Sequence, residues 1–303
     1  MKGFARIVTT IAAGAALCAG TSDAASPTSW VVFAASPQHG SQPSQLFRIR
    51  ATGTGLKQIT TGFKTASSPD FSPDEKHVVF MRGLSGIFVV NVDGTGLTRL
   101  TDNRADDHPV WSPDGRTIAF LRATQPRPTA NAVVKLFVMA ANGSHQHVLP
   151  LAPSPAAGRP SWLPGGQSIA ISAQGRLYQV SATNGKPLKR FGPTFDPRNG
   201  EPYWTLAPNG KTIAWIGGRP AGCEEAACEG SALYLLRFGA SRGRRLADDV
   251  GVAGWSRDSR LLAFTHGGTL NLQQIAEGPA RVLEVGADET NAPLGDSPPT
   301  WQR

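Results

Sequence analysis

The side chains most able to carry chemistry are six histidines, His39, His77, His108, His145, His147 and His266, and one acidic stretch, Thr101-Asp-Asn-Arg-Ala-Asp-Asp-His-Pro109. Imidazole can ligate a metal or move a proton near neutral pH. The histidines are dispersed, however, and a metal centre needs several ligands that converge. Asp102, Asp106 and Asp107 could hold a cation, but the Asp-x-Asp-x-Asp-Gly spacing of a calcium loop is missing, so they read as solvated turn charges. Gly83-Leu-Ser-Gly86 does not meet the Gly-x-Ser-x-Gly requirement of a nucleophile elbow and reads as a hairpin turn. Cys223-Glu-Glu-Ala-Ala-Cys228 reads as a disulfide closing a short loop, contributing roughly 2 kcal/mol on a chain-entropy estimate. Glu224 and Glu225 add too little to it for a zinc site. The residues therefore give no catalytic motif, and neither a metal nor a cofactor is expected.

What positions these residues is a repeat. Phe71-Ser-Pro-Asp-Glu-Lys-His-Val-Val-Phe80, Trp111-Ser-Pro-Asp-Gly-Arg-Thr-Ile-Ala-Phe120, Trp162-Leu-Pro-Gly-Gly-Gln-Ser-Ile-Ala-Ile171 and Trp255-Ser-Arg-Asp-Ser-Arg-Leu-Leu-Ala-Phe264 share one skeleton. A fifth copy begins at Trp204 with two extra residues before its turn, and a sixth begins at Pro299-Thr-Trp301 and runs off the end. The aromatic positions are 40, 51, 42, 51 and 46 residues apart, the period of four-stranded propeller blades with variable loops.

Each copy spells out its strands. Pro-x-Trp or Pro-x-Phe opens the inner strand, with Pro at the strand start where a lost donor costs little. Ser-Pro-Asp-Gly then makes a tight turn into a second, Ile-Ala-Phe-like strand. A third strand follows, as in Ile87-Phe-Val-Val90 or Leu177-Tyr-Gln-Val180, and an Asx-Gly turn leads to the outer strand. Trp30-Val-Val-Phe33 matches a second strand with no first strand before it, and Pro299-Thr-Trp301 a first strand with nothing after it. Pairing the strand near 30–35 with that near 299–302 closes the ring and removes its open sheet edges. The sequence thus predicts an all-β fold, a six-bladed propeller with four-stranded blades, in one domain over residues 30–303.

Residues 1–24 read as a signal peptide: Lys2 and Arg6 precede an apolar run from Ile7 to Ala19, and Ser22-Asp23-Ala24 offers a cleavage site. A lipoprotein reading through Cys18 competes, but Leu17 stands where that motif wants a small residue. After a short linker, 25–29, the propeller begins. No other apolar run reaches the roughly 20 residues of a spanning helix, so a periplasmic or secreted protein is expected. The formal charge is +8, or +7 without the signal peptide, which could suit an anionic envelope polymer or lipid headgroups. Along the sequence the cations look scattered apart from Arg242-Gly-Arg244-Arg245, and no nucleic-acid motif is present.

These blocks resemble the repeat of the TolB C-terminal propeller, the WD40-like PD40 repeat: Pro-x-Trp-Ser-Pro-Asp-Gly, then Ile-Ala-Phe, then Ile-Tyr-Val-Met-Asp-Gly. The segments Pro109 to Phe120 and Gly86-Ile-Phe-Val-Val-Asn-Val-Asp-Gly-Thr-Gly96 carry it most closely. The resemblance implies a periplasmic docking surface with a protein partner in the cell envelope. It departs from TolB in having no α/β domain between the signal peptide and the propeller. Related propellers also precede hydrolase domains or, as oligogalacturonate lyases, hold a metal largely through His. On this fold His108 alone of the six histidines falls beside the central funnel.

Connections from an outer strand to the next inner strand ring one mouth of the channel, which makes that face the expected binding surface. Its polar candidates are Asp107, His108, Arg159 and Glu201. The expected function is a monomeric, non-enzymatic module binding a protein or envelope polymer there. The alternative is a carbohydrate-active or hydrolytic propeller with a small-substrate site in the funnel.

Overall fold

The computed structural model describes residues 30–36, 43–124, 133–151, 158–194, 202–217, 232–266, 269–275, 282–285 and 300–301. The segment read as a signal peptide, His39, Glu201, Cys223 and Cys228 lie outside the described residues. Six antiparallel four-stranded sheets form six blades, and in five of them the strands follow chain order from the inner strand outward. In the remaining sheet, called blade 1, Thr300–Trp301 supplies the inner strand and pairs with Trp30–Ala35, Val31 opposite Trp301 and Val32 opposite Thr300. The two ends of the chain therefore close the ring. Blades 2 to 6 follow in sequence, with inner strands Ala66–Phe71, Asp106–Trp111, Ser161–Trp162, Tyr203–Leu206 and Val250–Trp255. Among the described residues the helical element is one short 3-10 turn, Gly83–Ser85, in the segment read as a hairpin turn.

The core lies between blades. Second and third strands such as Val78, Phe80 and Val90, or Ile118, Phe120 and Met139, are buried and pack in clusters that span neighbouring sheets. Two inner-strand tryptophans stitch blade to blade: the Trp162 indole donates to the Val110 carbonyl at 3.2 Å and that of Trp255 to the Thr205 carbonyl at 3.1 Å. The turns repeat as well. Ser72, Ser112 and Ser256 each donate to the Asp two residues on, and that Asp accepts from the backbone N–H two further on. These local bonds satisfy the hairpin backbone and explain why Ser-x-Asp recurs at this place.

One expectation is corrected. Pro69 and Pro109 do not open their strands but lie inside Ala66–Phe71 and Asp106–Trp111, at register shifts between Ser67 and Asp70 and between Asp107 and Val110. Each is a β-bulge, the interior place where a missing N–H is tolerated. Pro160 and Pro202 do immediately precede their strands.

Candidate functional site

The middle residue of each Pro-x-aromatic group lies on the inner strand of its blade, beside the channel. Asp70, Val110, Ser161, Tyr203 and Gly254 hold that place in blades 2 to 6. Asp70, Val110, Ser161 and Gly254 border a cavity of about 440 Å³, whose lining also includes Trp111, Trp162, Trp204 and Trp255 and, from the turns after the inner strands, Pro73, Pro113, Pro164, Pro208 and Arg257. Three arginine, aspartate and tyrosine side chains from different blades meet beside it. Arg159 Nη2 donates to Asp70 Oδ1 at 2.8 Å and to the Pro69 carbonyl at 3.1 Å, joining blade 4 to blade 2 past blade 3. Asp70 Oδ2 accepts from the Trp111 backbone N–H at 2.8 Å. The Tyr203 hydroxyl, within hydrogen-bonding reach of Arg159, donates to the Ala253 carbonyl of blade 6 at 2.9 Å.

This pair is largely removed from water, with the Arg159 side chain 11% exposed and that of Asp70 23%. Burial pushes the Asp70 carboxyl above its ordinary value despite the opposing pull of Arg159, the Trp111 N–H and Arg257. Burial likewise raises the Tyr203 phenol, against Arg159. A carboxyl with a raised pKa is less comfortable ionised in the folded protein than in the unfolded chain, so Asp70 costs stability at neutral pH. Charges kept at such a cost beside a cavity make this the candidate functional site.

Of the four residues expected at the site, Arg159 lines the cavity. Asp107 and His108 come together at the other end of the inner strands, next to Ser68 and outside the cavity lining. There His108 Nδ1 lies 3.1 Å from Asp107 Oδ2, and Asp107 Oδ1 accepts from the Ser68 hydroxyl at 3.2 Å and the His108 N–H at 2.6 Å. Burial would raise the Asp107 carboxyl, but His108 and Ser68 together hold it below the usual carboxylate range. Serine, histidine and aspartate are all present, yet the carboxylate stands between the other two. The hydroxyl therefore donates to an acceptor that stabilises its proton, and the imidazole is not placed to remove it, the reverse of an activated nucleophile. Both bulges put the residue before Pro in the left-handed region, Ser68 and His108 each at φ 53°.

Asp106 departs from the sequence reading. It belongs to the inner strand rather than a solvated turn, its side chain is fully buried, and Arg122 grips it through two bonds of 2.5 and 2.8 Å. Its role is structural. Among the described residues no three His, Cys, Asp or Glu side chains gather in a group able to hold a metal. His77 sits by Asp74 at a turn, His147 in an outer strand and His266 at the end of Leu261–His266.

Asp70 and Arg257 were missed from sequence although both carry a signal. Arg257 replaces the turn proline of the other copies, and Asp70 is a charged residue where the aligned copies have Val110, Ser161, Tyr203, Gly254 and Thr300.

Comparison of the structure with solved ones settles its architecture. TolB from Acinetobacter baumannii superposes with a TM-score of 0.70 over 91% of this chain and 67% of that one, at 16% identity. The fold is that of a TolB-type propeller. TolB from Agrobacterium tumefaciens matches with a TM-score of 0.56 over 85% of this chain and 88% of that one, at 13% identity. Oligogalacturonate lyase from Vibrio parahaemolyticus shares the architecture at a TM-score of 0.53, covering 83% of this chain and 78% of its own, at 9% identity. No protein-family profile and no curated sequence matches the chain. The TolB-type ring thus rests on geometry, at identities too low to carry an activity with it.

Proposed function

We propose that the protein is an exported binding module that takes a protein partner, or an envelope polymer, through its central channel and catalyses no reaction. The observation that carries this reading is the composition of the cavity. Four tryptophans and five prolines surround two arginines and one carboxylate, and rigid aromatics with arginine are the residues that dominate binding energy at protein interfaces. The polar groups there already serve one another, Asp70 with Arg159 and Tyr203 with a carbonyl, so they offer fixed anchors rather than a poised acid and base. Asp107 and His108 extend the proposed surface toward the other end of the inner strands. No helix among the described residues is long and apolar enough to cross a membrane.

Affinity capture from the native envelope, with the wild-type mature protein and with Arg257→Glu, tests this. A partner retained by the wild type and lost by the variant is the expected result. Recovery of no partner, together with turnover in a glycan screen, would establish the enzymatic alternative.

A further inference from the structure

The strand register gives order to cations that look scattered along the sequence. Residues 176–194 and 232–247 hold Arg176, Lys186, Lys189, Arg190 and Arg237, Arg242, Arg244, Arg245, with no Asp or Glu. The remaining 22 Lys and Arg of the chain balance its 22 Asp and Glu, so the whole net charge of +8 is accounted for by these two stretches. They are the third and outer strands of blades 4 and 5, which are adjacent in the ring. In blade 4, Arg190 stands opposite Tyr178 and Lys189 opposite Gln179; in blade 5, Arg245 stands opposite Tyr234 and Arg244 opposite Leu235. The same two places are taken by Gln58 and Lys57, Arg99 and Thr98, Val148 and His147, and Glu284 and Leu283 in the other blades. Blades 4 and 5 are therefore where both are cationic.

All eight side chains are exposed. Among the described residues they form one ion pair, Arg245 with Asp248. The blades meet under them: Phe191 packs on Phe238 at 4.4 Å and Lys189 lies 5.9 Å from the Phe238 ring. Leu188, 56% exposed, projects from the same outer strand.

We propose that this rim of blades 4 and 5 is a docking surface for an anionic phospholipid bilayer, separate from the channel. Six of the eight cations are arginine, whose fork of donors matches phosphate oxygens. Outer strands form the outer edges of their blades, so two neighbouring ones put these cations at the periphery of the ring, where a plane of headgroups can reach them. Leu188 among the cations is the aliphatic contact that such a boundary accepts. Each cation near an anionic membrane surface contributes about fivefold in affinity, and the attraction decays within a Debye length of roughly 10 Å in ordinary salt.

Vesicle flotation with the mature protein tests the proposal. The wild type is expected to float with vesicles of phosphatidylcholine and phosphatidylglycerol, to stay behind with phosphatidylcholine alone, and to release as salt is raised. Replacing Lys189, Arg190, Arg242 and Arg244 with Ser, all exposed, should weaken binding by about 600-fold while leaving the melting temperature unchanged. Lys76→Ser with Arg116→Ser, on turns of other blades, and Arg257→Glu in the channel should bind vesicles as the wild type does. Equal flotation with both lipid mixtures, or undiminished flotation of the fourfold variant, would overturn the proposal. So would a wild type that binds duplex DNA while ignoring the anionic vesicles.

Discussion

Arg159 is the residue on which the channel depends, because it neutralises a carboxyl that burial already disfavours. In Arg159→Met the Asp70 carboxylate keeps its desolvation and loses its partner, so its pKa rises further. The sign follows from linkage: the ionised form is penalised in the folded state, so the loss is greatest above the raised pKa and disappears once Asp70 is protonated. We expect a loss of about 2 kcal/mol near pH 7, smaller than for a fully buried pair because the cavity admits water, shrinking toward zero near about pH 4. Urea titrations of both proteins across that range check it; a gap that does not change with pH would contradict the assignment. Asp70→Asn removes the penalised charge and keeps an acceptor facing Arg159, but it leaves that guanidinium without its counter-charge, so the two effects oppose and the change at pH 7 should stay within about 1 kcal/mol. Asp106 behaves oppositely: deleting its carboxylate in Asp106→Ala strands the Arg122 guanidinium and should cost about 3 kcal/mol. The sequence shows both aspartates but not this difference. Asp70 and Arg159 are 89 residues apart and Asp106 and Arg122 are 16 apart, and only the ring brings each pair together.

At the scale of the strand, turn chemistry was the most legible part of the chain. Ser-Pro-Asp-Gly and Asx-Gly dictate local backbone, and the hairpins fall where those residues stand. The bulges were not legible, since Pro69 and Pro109 are equally compatible with a strand start and with an interior irregularity; the choice is made by pairing with the second strand. The bulge turns Ser68 and His108 into the left-handed region and leaves Asp107 between them. A non-glycine residue there costs roughly 1–2 kcal/mol, and a β-branched one more. His108→Val should therefore lose at least about 2 kcal/mol, whereas His108→Gly should stay within about 1 kcal/mol of the wild type because relief of strain offsets the lost ion pair and the freer unfolded chain. Paired denaturation curves distinguish this from a purely electrostatic role, in which both substitutions would cost the same.

The ring as a whole was readable because every copy of the repeat reports the same blade, so an error in one copy is corrected by the others. The candidate binding residues were not, because the channel and rim residues differ from blade to blade: Arg257 and the cations of the outer strands are departures from the repeat, and a consensus reading averages them away. Closure is the property that belongs to no single blade. Val31 and Val32 are fully buried in a second strand whose inner neighbour comes from the other end of the chain. Removing residues 298–303 takes away that strand, exposes the edge of Trp30–Ala35 and frees blade 1 from blade 6, so the loss cannot remain local. The truncated protein should melt on the order of 10 °C lower, as several kcal/mol spread over a domain of this size predicts. Its calorimetric and van't Hoff enthalpies should also diverge, since an opened ring lets end blades fray before the rest. A truncation that melted at the wild-type temperature in a single transition would show that the ring is held by packing between blades alone, with the terminal pairing incidental.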